Sequence, residues 1–239
     1  MSRYRHEYKY LLDSQMEQIL HIRAAGLLAL DTHVQHEGSY FIRSLYFDDY
    51  DNSCMMENDA GTDPRSKFRI RYYNCDTSRI HLEKKSKRQG MTLKESCDLT
   101  YEECSALMAG KVPDVDDSMT RVKKQLLLEM RMRNLMPRVI VSYERIPYIY
   151  PCGNVRITFD KSISSSTQIE KFLDGDYQTR PILPVGTSIL EVKWDEILPL
   201  HIKDVMQLNQ LQWTAFSKYY MCRKFHLGDD RMNKNRKEI

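Results

Sequence analysis

Residues 67–73 read KFRIRYY, followed by IHLEKKSK at 80–87 and MTLKESC at 91–97. Side chains two apart on an extended strand share a face. Arg69 and Arg71 therefore share one face of the first segment, and Phe68, Ile70 and Tyr72 the other. In the second segment Glu83, Lys85 and Lys87 align opposite Leu82, Lys84 and Ser86. In the third, Thr92, Lys94 and Ser96 align opposite Met91, Leu93 and Glu95. The alternation recurs outward along the chain. Glu7 and Lys9 oppose Tyr8 and Tyr10; Arg156, Thr158 and Asp160 oppose Val155, Ile157 and Phe159; Glu191 and Lys193 oppose Leu190, Val192 and Trp194.

β-Branched and aromatic residues at this spacing predict strands over 4–11, 41–47, 67–73, 79–87, 91–99, 138–143, 155–160 and 189–194. Helices are expected among the connections. Ser14 with Glu17 and Thr100 with Glu103 have capping-box spacing, and Gly110 suits the stop of the second helix. Residues 119–135 form a long helical pattern ended by Pro137, and 200–225 are helical in two pieces. Segments 58–66 and 110–117 read as loops. Antiparallel strands with helices between them predict an α+β fold on one large sheet, a single domain over 1–239.

The composition, 41% hydrophobic and 29% charged, is that of a globular chain. A net charge of +3 does not indicate a nucleic-acid binder, so any cationic site must arise by arrangement. No apolar run approaches the ~20 residues of a membrane helix. The opening MSRYRHEYKYLL places charges where a signal peptide needs apolar residues. Six cysteines without a C-x-x-C pair read as reduced thiols, and the seven histidines show no metal spacing. We expect a cytoplasmic protein.

The polar strand faces collect Lys9, Arg69, Arg71, Lys85, Lys94, Arg156 and Lys193 against Glu7, Glu83, Asp160 and Glu191, a surplus of three that equals the net charge of the whole chain. On an open sheet these faces would meet solvent, with Arg69 and Arg71 free to pair with Asp48 or Asp49. In a closed barrel covered by the amphipathic helices they would line the lumen. Isolated charges cannot be buried dry, so such a lumen must hold water or a polyanion. A linear phosphate chain fits, because Arg forks bind phosphate oxygens bidentately. Asp160 reads as a structural partner of a lumen arginine, Glu83 is open to either role, and the tyrosine-rich stretch 143–150 reads as core.

RHEYKYLL, SLYFDD, FRIRYY, LEKKSK, TLKES, VSYER, VRITFDK, LEVKW and FSKYY follow one another in this chain. In that order they resemble VTC domains, the polyphosphate polymerase domains of the triphosphate tunnel metalloenzyme, or CYTH-like, superfamily. The resemblance runs from Arg5 to about Lys224. It implies an eight-stranded antiparallel β-barrel tunnel with helices packed around the outside. It also implies transfer of the ATP γ-phosphate to a growing polyphosphate chain, with Mn²⁺ or Mg²⁺. Position by position it places Lys9, Arg69, Arg71, Lys85, Lys94, Arg145, Arg156 and Lys218 in the catalytic set. Lys193, Ser217 and Lys87 would contact substrate, and Glu191, assisted by Glu7, would hold the metal.

The chain departs from the superfamily's hydrolases at its start. Their E-x-E-x-K series is here Arg5, Glu7, Lys9, one carboxylate replaced by a cation. Lys87 stands where some members carry His. No regulatory domain or membrane helices flank the motifs, so we expect a stand-alone, bacterial member. Its partners would be ATP and inorganic polyphosphate, with a separate membrane protein for the product. Hydrolysis of tripolyphosphate or nucleoside triphosphates, and polyphosphate binding without turnover, are the alternatives.

Overall fold

Alternating strands with one apolar face need a cover, and the helices supply it from one side only. In a computed structural model, which describes residues 4–34 and 38–235 (side chains to 227), every expected strand is present. They are β1 (His6–Leu12), β2 (Ala29–Leu30), β3 (Tyr40–Asp48), β4 (Arg65–Tyr73), β5 (Asp76–Arg88), β6 (Met91–Leu99), β7 (Met136–Tyr150), β8 (Val155–Ser166), β9 (Arg180–Pro181) and β10 (Ser188–Trp194). The sheet runs β1-β10-β8-β7-β3-β4-β5-β6, with the two-residue strands β2 on β7 and β9 on β8. Its outer strands meet at one bridge, where the Arg5 amide donates to the Thr92 carbonyl at 2.9 Å and the Thr92 amide donates back at 3.0 Å. The curled sheet is thereby drawn into a tunnel.

The helices are α1 (Ser14–Leu27), α2 (Ser53–Asp59), α3 (Tyr101–Met108), α4 (Arg121–Arg133), α5 (Leu200–Val205) and α6 (Lys218–Asn235). Two hydrophobic cores lie between them and the outward strand faces. One joins Ile70, Tyr72, Ile80 and Leu82 to Leu107 of α3, Leu126, Leu127 and Met130 of α4 and Cys222 of α6. The other joins Tyr10, Ile157, Phe159, Leu190 and Val192 to Leu20 and Ala24 of α1 and Ile202 of α5. Each fully buried large apolar side chain contributes roughly 1.5–3 kcal/mol. Lys84 marks the boundary from the outer side: its Nζ lies 5.4 Å from the Phe68 ring centroid and donates to Gln125 of α4 at 3.2 Å.

Local chemistry corrects several boundaries. Asp13, not Ser14, caps α1, its carboxylate accepting from the Met16 amide at 2.8 Å. The Thr100–Glu103 capping box is formed in both directions. α4 ends at Asn134, whose φ of 53° breaks the helix, and Pro137 lies inside β7 opposite Phe47. β7 and β8 extend well beyond 138–143 and 155–160. α2 occupies the start of the expected loop. Buried Asp48 organises it, accepting from the Cys54 and Met55 amides at 2.9 and 3.1 Å.

Ile70 is fully buried on the outward face of β4. Ile70→Ala should destabilise the protein by about 2–5 kcal/mol, read as a lower denaturation midpoint. A loss below about 1 kcal/mol would mean that this face is not core.

Candidate functional site

The inward faces line three adjoining cavities of about 310, 60 and 410 Å³. The first and the central one share Lys9, Lys67, Lys85 and Ser217; the central and the third share Arg69, Arg71, Lys85, Arg145 and Lys193. Together they make a passage through the barrel. All thirteen candidate residues lie along it: Lys87 at the first mouth, Glu191 and Lys218 at the centre, Lys94 and Arg156 toward the second mouth, Glu7 along the wall between. α6 begins at the tunnel wall, which is how Ser217 and Lys218 reach a lumen otherwise built by strands.

Four carboxylates tie the lining together. Glu83 accepts from Arg69 Nε at 2.6 Å and from Lys94 Nζ at 3.1 Å. Asp160 accepts from Arg145 Nε and Nη2 at 2.6 and 2.7 Å and pairs with Lys218 at 2.5 Å. This is the structural role read from the sequence. Glu191 meets Arg145 at 3.1 Å and Lys193 at 3.0 Å, and Glu7 meets Lys85 at 2.9 Å and Lys9 at 3.0 Å. Arg71 instead donates to the Ser44 and Tyr143 hydroxyls at 2.9 and 3.0 Å. Lys9, Lys67, Arg69, Arg71, Lys85, Lys94, Arg145, Arg156, Lys193 and Lys218 outnumber the four carboxylates by six.

The titration behaviour follows from this crowding. Burial pushes Glu83 and Glu191 up, but the adjacent cations overcome it and hold both well below the usual carboxylate range. Asp160 is lowered in the same way, by Arg145 and Lys218 against burial. Burial also lowers Lys85, which Glu7 only partly offsets, leaving it at about 8. Lys9 goes up because Glu7 and Glu191 outweigh its burial.

The family is settled by a match of the VTC domain over residues 4–226. The chain belongs to the VTC domain family. No curated protein matches its sequence. Among solved structures, an adenylyl cyclase candidate from Hippeastrum, described as having a dominant triphosphatase activity, shares 13% identity at a TM-score of 0.53, over 94% of this chain and 96% of that one. An adenylate cyclase candidate from Bacillus halodurans shares 15% identity at a TM-score of 0.48, over 86% and 88% of the two chains. The Hippeastrum likeness is one of fold, the triphosphate tunnel.

This VTC domain also uses side chains the motifs did not single out. Lys67 shares the face of Arg69 and Arg71, a position the two-residue period already implied. Tyr143 belongs to the buried core, as read from the sequence, and also lines the lumen, with Arg145 and Lys218 at 5.3 and 4.9 Å from its ring centroid. Tyr46 accepts from Arg69 at 2.8 Å. Asp48 and Asp49 do not pair with Arg69 or Arg71; Asp48 serves α2, and Asp49 pairs with Arg133 at 3.0 Å.

Among the described residues no three His, Cys, Asp or Glu side chains cluster as a metal cage. Of the four carboxylates that tie the lining together, Glu7 and Glu191 open onto the cavities, while Glu83 and Asp160 are buried behind their arginines. Two hard oxygen donors fit a divalent cation that takes the rest of its shell from water and phosphate.

The pH dependence has two limbs. Glu83 and Glu191 titrate below an unfolded value of about 4.3, so the stability they confer is complete above that pH and drains away as the pH falls through their folded values. Lys85 binds fewer protons folded than unfolded between about 8 and an unfolded value of about 10.4, so its contribution to stability grows as the pH rises across that window. The melting temperature of the empty domain should fall steeply below about pH 4. Burial pushes up the thiols of Cys54, Cys104 and Cys222, which draws stability down on the alkaline side, so Lys85 is read as a difference: the melting temperature of the wild type minus that of Lys85→Met should grow between about pH 8 and 10. A difference that stays flat across that window would contradict the environment described for Lys85.

Proposed function

We propose that this VTC domain is a polyphosphate polymerase that transfers the γ-phosphate of ATP to a growing polyphosphate chain. The observation that carries the reading is the excess of basic side chains over carboxylates along three adjoining cavities. A linear polyanion can neutralise such a lining along its length, and two mouths let nucleotide and chain approach from opposite sides.

Phosphoryl transfer asks for position and charge rather than covalent work by the protein. A terminal phosphate oxygen of the acceptor attacks the γ-phosphorus, the bond to the β–γ bridging oxygen breaks, and ADP departs. Arg69, Arg71 and Arg145 are held in place by Glu83, Ser44, Tyr143 and Asp160, so their remaining N–H groups are oriented before substrate arrives. Arg156, held by Asp31 at 2.7 Å and donating to Tyr40 at 3.0 Å, would complete the clamp toward the second mouth. Lys9, Lys85, Lys94 and Lys218 would guide the acceptor chain, with Lys193, Ser217 and Lys87 as further contacts. Mn²⁺ or Mg²⁺, held by Glu191 with Glu7, would supply charge neutralisation and alignment of phosphate oxygens. ATP supply places the reaction in the cytoplasm. No described helix is long and apolar enough to cross a membrane. A separate membrane protein would receive the product.

Hydrolysis is the second reading, favoured by the activity described for the Hippeastrum protein. Against it, Arg5 is turned to the rim, where it pairs with Asp195 at 2.8 Å, leaving Glu7 as the one carboxylate of that strand in the lumen. Purified protein given ATP and Mn²⁺ should produce a ladder of polyphosphate on a gel. ADP with orthophosphate and no oligomer would transfer the site to the hydrolase reading. Arg71→Ala should lower turnover by about 10²–10³-fold, the scale of losing one preorganised donor. Glu191→Gln should abolish metal-dependent turnover with the fold intact; unchanged turnover would assign the ion to Glu7.

A further inference from the structure

Lys67 stands apart from the other lumen lysines. Lys9, Lys85, Lys193 and Lys218 each have a carboxylate oxygen at 3.0 Å or closer. Among the described residues, Lys67 has none within 4.0 Å. Its Nζ donates to Ser217 Oγ at 3.3 Å and lies 5.9 and 5.6 Å from the ring centroids of Tyr46 and Tyr219. Both rings are fixed from behind, Tyr46 by Arg69 and Tyr219 by its hydrogen bond to buried Asp48.

The charges that face Lys67 are mostly of its own sign. Lys85 is its direct register partner on β5, Arg69 follows it on β4, and Lys9 approaches from β1. Glu7 of β1 offsets them only weakly. From α2, exposed Asp59 and the Cys54 thiol line the same cavity. Burial first, then the three cations, push the Lys67 amine well below the ordinary lysine value. The residue sits where the first mouth narrows into the central cavity.

We propose that Lys67 is a neutral amine in the empty tunnel and takes up a proton from solvent when a phosphate chain binds. The proposal rests on the reading that the tunnel binds polyanions. Arriving phosphate oxygens supply the counter-charge that no side chain provides, so the N–H bond forms and the ammonium persists only while phosphate is present. The empty tunnel is thereby spared one further like charge at its crowded junction. Binding becomes coupled to proton uptake, and withdrawal of the chain to proton release.

Calorimetric titration of tripolyphosphate into metal-free protein at about pH 8, in two buffers of different ionisation enthalpy, counts the protons taken up on binding. Lys67→Arg keeps a permanent charge at the site, and Lys67→Met removes the amine; circular dichroism checks that each variant folds. The ligand's own titration is common to all three proteins, and repeating the comparison on a Lys85→Met background removes the titration of Lys85, which the charge at position 67 would otherwise shift. The wild type should take up more protons than either variant, by a substantial fraction of a proton, with Lys67→Arg still binding and Lys67→Met binding more weakly. Equal uptake in wild type and both variants would overturn the proposal while leaving polyanion binding intact. Failure of the wild type to bind tripolyphosphate at low salt would overturn the polyanion reading, and this proposal with it.

Discussion

Like charges forced to share a lumen are the constraint on which this structure depends. Ten basic side chains and four carboxylates converge inside one curled sheet, and the lining stays positive even with Lys67 uncharged and Arg156 paired to Asp31. Because the polar faces turn inward, the apolar faces must turn outward, and the cores form between strands and helices rather than inside the barrel. Each carboxylate is shared by at least two cations: Asp160 holds Arg145 and Lys218, and Glu83 holds Arg69 and Lys94. The lining is rigid where these networks close and under-neutralised where they do not.

The under-neutralised part is not evenly spread. At the second mouth the rim cations are paired, Arg5 with Asp195 and Arg156 with Asp31. At the first mouth, among the described residues, neither Arg65 nor Lys87 has a carboxylate within 4.0 Å. A cleft lined by one sign of charge concentrates counter-ions at its opening. The mouth that leads to Lys67 is thus the less neutralised of the two, with exposed Asp59 beside Arg65 and Lys87.

What the sequence disclosed was whatever a period of two can carry. Arg69 against Ile70, Glu83 against Leu82 and Lys193 against Val192 assign the faces by parity alone, and the faces dictate a polar lumen. The same parity covers Lys67, which shares the face of Arg69 and Arg71. Tyr143 and Tyr46 were hidden by their chemistry: a phenol ring counts as core in any hydrophobic pattern, yet here each hydroxyl bonds an arginine. α2 was hidden by its composition, since SCMMEND has little helical signal and is organised by Asp48, upstream of the helix. Ser217 and Lys218 come from the start of a helix, so no strand pattern could place them in the lumen, and only the family motif pointed to them.

The central claim, that these faces converge on one anion-binding lumen, is tested most directly by melting the protein with and without tripolyphosphate at low and high salt. A ligand that binds only the folded state stabilises it by about 2.7 kcal/mol at a hundredfold excess over Kd. For a domain of this size that is a rise of about 2–4 °C per kcal/mol. The account predicts a shift of several degrees at low salt that shrinks as salt screens the lining. A melting temperature indifferent to tripolyphosphate at low salt would contradict it.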